Sequence, residues 1–226
     1  MRQIFRQELQ QVGDDLILMA EHVATAIDKA TTALKSADIA LAEQVIEADR
    51  RIDELERHLD EQCVSLLARQ APVATDLRVV VSALRLSATI ERMGDLARHV
   101  AYVARGRYPE KALTGEIRSV IDQMGTAAAN VGRQVVELLK THDLSLASTI
   151  EADDEILDNL HRQTFPLILD EAQDATRQQV IDSVLLSRYL ERFGDHGVSV
   201  CRRIVYLVTG DPDAAARSTD DEHTVR

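Results

Sequence analysis

The strongest constraint on this chain is that it carries its own sequence twice. KSADIALAEQVIEADRRID at 35–53 returns as KTHDLSLASTIEADDEILD at 140–158, and ERMGD at 91–95 returns as ERFGD at 191–195. The offset is 105 residues at the lysines, 104 at the shared IEAD and 100 at ERxGD, so small insertions separate two otherwise parallel halves. One structural unit is therefore used twice.

Breaks fall near KSAD (35–38), ARQAP (68–72), RGRYPE (105–110), KTHD (140–143), EAQDA (171–175) and TGDPD (209–213). The six segments between them are roughly thirty residues long, with apolar residues three and four apart, the spacing of a helix face. Four prolines and nine glycines leave few places to turn, which favours a few long helices. Pro72 and Pro109 stand where helices could start or stop, whereas Pro166, inside TFPLIL, predicts a kink or register break. The expected fold is all-α: two tandem three-helix bundles over 1–108 and 109–210, followed by a polar, disordered tail over 211–226.

Apolar residues make up 45% of the chain, enough for a core, and most are Ala, Val, Leu and Ile. A formal charge of −12 argues against nucleic acid, whose phosphates demand a basic face. It is compatible with cation binding, although most acidic proteins are simply soluble. Cys63 and Cys201 form no CxxC and read as reduced, packed thiols of a cytosolic protein. The N-terminus is charged at once, and the apolar run VVVSAL is stopped by Arg85, well short of the ~20 residues a membrane span needs. The expectation is a soluble chain that meets a membrane only through partner proteins.

Glycine in a helix interior costs about 1 kcal/mol relative to alanine, so its return in ERxGD calls for a reason. Glu91 and Asp95 are four residues apart and project from one helix face. Gly94 lies about 60° from Glu91 on the same side, leaving room beside the carboxylates. Glu191, Gly194 and Asp195 repeat the arrangement. The apolar stripe Val79, Ala83, Leu86, Ile90, Met93, Ala97 and Val100 points elsewhere, which places the carboxylates at or near the surface. Like charges at this spacing are destabilising by roughly 0.2–0.5 kcal/mol, and two such copies call for a compensating cation or partner.

Further ligands would have to come from neighbouring helices. If the second helix turns back near residue 71 and the fifth near 173, Asp49 lies level with residue 93 and Asp153 with residue 193. Such carboxylate-rich sites suit magnesium, manganese or iron, with zinc possible if a histidine joins. His196 is a candidate, although its first-half counterpart is Leu96. Asp53 adds a carboxylate in the first half; its aligned position in the second is Leu157, for which Asp154, Glu155 or Asp158 could substitute. The competing reading is a plain charged face paired with Arg92, Arg98 and Arg192.

No Walker loop, GxGxxG, GxSxG or HExxH occurs, and the lack of paired ExxH motifs counts against a ferritin-like di-iron oxidase. Two readings stay open on these residues. One is a carboxylate-bridged metalloenzyme; the other is a helical scaffold without metal.

PVATDLRVVVSALRLSATIERMGDLARHV (72–100) resembles the PhoU signature, P-x-A-x-D-L-R followed by an ERxGD helix. YLERFGDHGVSVCRRI (189–204) is similar to its partner, ERxGDHAxxI, and the likeness extends to about residue 210. The resemblance implies paired three-helix bundles, commonly dimeric, that bind metal ions or clusters through acidic E/DxxxD motifs. By it, Glu91, Asp95, Glu191 and Asp195 are the first metal ligands, with Asp49 and Asp153 next. It also implies a cytoplasmic, non-enzymatic repressor of the phosphate-starvation response. Such a protein would connect the ATPase of a phosphate ABC transporter with a sensor histidine kinase and restrain uptake. Two departures stand out: Gly197 where the family often has alanine, and QDATRQQV (173–180) in place of a second P-x-A-x-D-L-R. Asp76, Arg78 and Arg85 are left with a first-half role, in partner contact or in an ion pair within the bundle. The ion pair is preferred, since a helix start routinely sets an acidic residue against its dipole.

Overall fold

The structure, a computed structural model, describes residues 2–170 and 175–211. The proposed tail from residue 212 onward and most of the EAQDA break lie outside the described residues. Six helices form: α1 (Arg2–Ser36), α2 (Ile39–Gln70), α3 (Ala74–Arg107), α4 (Gly115–Thr141), α5 (Ser145–Leu169) and α6 (Arg177–Thr209). The first three pack against one another, as do the last three, and the bundles meet where α1 packs on α4 and α3 on α6. The all-α architecture of two three-helix bundles expected from the duplication is what forms. The apolar core runs continuously through both bundles.

The helix ends follow local chemistry. Asp38 caps α2, its carboxylate accepting from the Leu41 amide at 3.0 Å, which satisfies an otherwise orphaned donor. Thr176 opens α6 with a capping box: the Gln179 amide donates to its hydroxyl at 3.2 Å, and its own amide donates to the Gln179 side chain at 2.9 Å. His142 and Gly210 close α4 and α6 in the left-handed conformation, their amides donating to Leu138 and Tyr206 at 2.9 and 2.8 Å. α5 runs through Pro166 and ends at Leu169, so the hydrogen bond that proline removes belongs to the final turn. Cys63 and Cys201 are free and buried, and burial pushes both thiols up to about 11.

The α3–α6 seam positions everything that follows. Arg78 lies beside Gly210, Arg85 acts on Arg203, Arg92 acts on His196, and the rings of His99 and Tyr189 stand 5.0 Å apart. These contacts advance seven residues at a time along α3 while retreating seven along α6. That is two helical turns per step of an antiparallel seam. Gly94 and Gly194 therefore come level at its centre. At one end Arg107 clamps the bundles together, donating from Nε and Nη2 to the carboxylate of Asp182 at 2.6 and 3.0 Å.

Asp182 is 1% exposed and also accepts from Gln178 at 3.0 Å. Removing Arg107 strands most of that buried charge. Arg107→Met is expected to cost about 1–3 kcal/mol, less than a fully buried pair would because Gln178 remains and Arg107 is part-exposed. Urea unfolding followed by circular dichroism checks this.

Candidate functional site

Burial sets the register between the halves. Val45, Ile52 and Leu55 on α2 are buried, as are Ile150, Leu157 and Leu160 on α5, each 105 residues later. By that register Asp49 corresponds to Asp154 and Asp53 to Asp158. The IEAD match, offset by 104, is one residue out of step. The structure accordingly does not bring Asp153 to the ERxGD helix: it is turned toward α4, where Gln134 Nε2 donates to it at 2.7 Å. Carrying the lysine offset of 105 through the segment would have found Asp154 and Asp158 in sequence.

The glycines answer to helix approach. A Cβ on Gly94 would stand 3.0 Å from Ile52 Cδ1, so α2 fills the room expected beside the carboxylates. A Cβ on Gly194 would strike Asp154 Oδ1 and come within 2.7 Å of Leu157 Cδ1. Each ERxGD face is thus held close against an acidic helix of its own bundle.

On the first face Asp49, Asp53, Glu91 and Asp95 come together: burial, then Asp95 and Asp53, push Glu91 above the usual carboxylate range, and burial with Asp53 does the same to Asp49. A shallow cleft of about 370 Å³ is lined by Asp53, Glu56, Arg57, Glu91, Asp95 and Arg98. Asp49 is only 4% exposed, on the buried face of α2 between Val45 and Ile52. Arg98 donates to both Asp49 and Asp95. Burial still pushes Asp49 upward, Arg98 notwithstanding. Burial lowers Arg98, but Asp49 and Asp95 together more than restore it. Arg92 lies 3.6 Å from Glu91 and 3.8 Å from Asp95, a loose surface pairing worth little. The plain arginine-paired reading therefore describes this half well.

The second face differs. Asp154, Asp158, Glu191 and Asp195 act on one another electrostatically. Glu191 is 8% exposed, not the expected surface position, and Arg188 Nη1 donates to both its carboxylate oxygens at 2.6 and 2.7 Å. Asp154 Oδ1 is buried with no hydrogen-bond partner. Burial, then Asp158, Asp195 and Glu191, push this carboxyl up to about 7, and Arg202 offsets only part of that. Position 198, the counterpart of Arg98, is a buried valine.

His196 is half-buried on the side of α6 nearest Arg92. Burial, Arg192 and Arg92 hold it below the ordinary histidine range, while Asp195 pulls the other way. The structure thus places it at the α3–α6 seam. Of the other three candidates, Asp76 is exposed in the first turn of α3 and Arg85 is exposed further along it. Arg78 stacks 5.9 Å from the Tyr206 ring centroid. Among the described residues no three His, Cys, Asp or Glu side chains are gathered tightly enough to hold a metal ion as they stand. The orphaned Asp154 oxygen nevertheless fits the second face to a cation, since a buried carboxylate oxygen without a partner is costly.

The raised pKa of Asp154 has a definite consequence for stability. Between the usual carboxylate value of 3.8 and about 7, the folded chain holds a proton there that the unfolded chain has lost. Stability contributed by this group therefore falls as pH rises through that window and stays low above it. Asp154→Asn removes the penalty and is expected to stabilise metal-free protein by about 1–3 kcal/mol near pH 8, discounted for solvent screening. The gain should vanish near pH 4. Thermal unfolding of both proteins across that range checks it.

The fold is shared with known proteins. The family model described as PhoU domain matches residues 16–104 and again 121–204. The chain is 40% identical over 210 residues to the phosphate-specific transport system accessory protein PhoU homolog 2 of Mycobacterium tuberculosis, covering 93% of this chain and 99% of that one. It is 38% identical to PhoU homolog 1 of Mycobacterium leprae, with 93% and 95% covered. The crystal structure of PhoU from Pseudomonas aeruginosa superposes with a TM-score of 0.82 at 29% identity, covering 92% of this chain and all of that one. The phosphate transport system regulatory protein PhoU from Streptococcus pneumoniae gives 0.81 at 27% identity, with 92% and 98% covered. Both halves match the family, and the chain belongs to the PhoU family.

Proposed function

We propose that this chain is a non-enzymatic regulator of phosphate transport that represses the phosphate-starvation response when phosphate is plentiful. The observation that carries the reading is the match of both halves to the PhoU domain. Relatives covered over nearly their whole length are named as accessory proteins of phosphate-specific transport systems. In the finer form of the proposal the chain works in the cytoplasm as a homodimer and links the ATPase of a phosphate ABC transporter to a sensor histidine kinase. No helix among the described residues is long and apolar enough to cross a membrane, so this linkage would run through protein contacts.

Metal belongs to the proposal as well. The second acidic face would hold an iron, manganese, magnesium or zinc ion through Asp154, Asp158, Glu191 and Asp195, side chains whose hard oxygens suit such ions. The ion would supply positive charge to a half-buried carboxylate cluster and so join α5 to α6. Side-chain rotation about χ1 must complete the shell. Metal binding of this kind is coupled to fold stability and to proton release.

Cells lacking the chain, grown in ample phosphate, test the function. A starvation-promoter reporter and radiolabelled phosphate uptake should both rise several-fold, and the wild-type chain should restore them. A chain carrying Asp154→Asn and Asp195→Asn should accumulate normally yet restore them poorly. Unchanged reporter and uptake in the deletion strain would contradict the proposal.

A further inference from the structure

The two acidic faces are built from matching carboxylates but not from matching cations. Asp49, Asp53, Glu91 and Asp95 correspond to Asp154, Asp158, Glu191 and Asp195. Arg57 and Arg162 repeat as well, each donating from Nε to a main-chain oxygen, of Asp53 at 3.3 Å and of Asp158 at 3.2 Å. The loose arginine beside each motif is also duplicated, as Arg92 and Arg192. The difference between the faces lies one turn beyond the motif. Position 98 carries a guanidinium that bridges α2 and α3 by donating to Asp49 and Asp95 together. Position 198 carries valine, 6% exposed. Arg188, the arginine special to the second face, pairs with Glu191 on its own helix and leaves Asp154 Oδ1 unpartnered.

Two carboxylates from adjacent helices converging on one cation describe equally well a metal site and what Arg98 does. A guanidinium is always charged, and its fork supplies two donors to two acceptors in fixed geometry. Its Nε is itself buried without a partner, so the group sits in the carboxylate cleft rather than across its mouth. Only 24% of the Arg98 side chain is exposed, against 5% for Asp49. A metal entering between Asp49 and Asp95 must first expel it.

We propose that Arg98 is a built-in cation that closes the first acidic face to metal, so that metal loads the second face alone, and that losing Arg98 opens the first. This rests on the proposed metal reading only for the second face. Arg98 is thus a specificity-determining residue: it makes a duplicated protein asymmetric, with one joint locked at all times and the other dependent on an ion.

The test is manganese binding by full-length wild type, Arg98→Val and the double variant Asp154→Asn/Asp195→Asn. It is read by elemental analysis after gel filtration and by unfolding temperature with and without manganese. Arg98→Val copies the residue of the second half; Arg98→Gln, which keeps hydrogen bonding without charge, replaces it if the valine chain does not fold. The expected result is metal in wild type, lost in the double variant, and about twice the wild-type content once Arg98 is gone. Metal-free Arg98→Val should unfold at lower temperature than wild type, with manganese restoring the difference. Wild type that binds metal while Arg98→Val binds no more would overturn the inference and leave the second-face reading intact. Metal taken up only after loss of Arg98 would support the inference and defeat that reading. Metal in neither protein would overturn both, and metal retained by the double variant would place it on the first face and overturn the inference.

Discussion

Carboxylates on touching helices repel one another, and burial makes the repulsion stronger because protein screens charge less well than water. The arginines of the duplicated site offset that repulsion. Asp49 and Glu191 are buried where helices press together, and each has an arginine within hydrogen-bonding reach. Asp154 is the exception. Burial and three other carboxylates push it up to about 7. The first face carries an arginine that bridges its two helices, and Asp154 Oδ1 on the second has no such partner.

The close approach that causes the repulsion is the same one that requires the glycines. Gly94 admits Ile52 of α2, and Gly194 admits Asp154 and Leu157 of α5. Both stand level on the α3–α6 seam, so the two acidic faces lie on either side of the contact that joins the bundles. An ion on the second face would join α5 to α6 as Arg98 joins α2 to α3.

Much of the fold was legible because long amphipathic helices leave clear punctuation. The described helix ends fall at KSAD, ARQAP, RGRYPE, KTHD and TGDPD. The pairing of an ERxGD helix with an acidic helix was legible too, from where the turn between them falls. What sequence could not resolve was side-chain direction within one turn. IEAD repeats as text, but a one-residue slip rotates a helix by about 100°, which turns Asp153 to α4 and presents Asp154 instead. Glu191 departs from the expected surface position for a related reason: a single-helix wheel sets it beside the apolar stripe of α6 but says nothing of the neighbour that covers it. Arg98 was visible as a nearby charge, and only the structure shows that it reaches across to Asp49.

The unequal demand of the two faces for a cation is tested most directly by locating the ion. Crystals of the wild-type chain grown with manganese and measured near the manganese absorption edge give an anomalous difference map. The account predicts a peak beside Asp154 and Asp195, with Arg98 still seated between Asp49 and Asp95. A peak between Asp49 and Asp95 with Arg98 displaced, or no peak on either face, would contradict it.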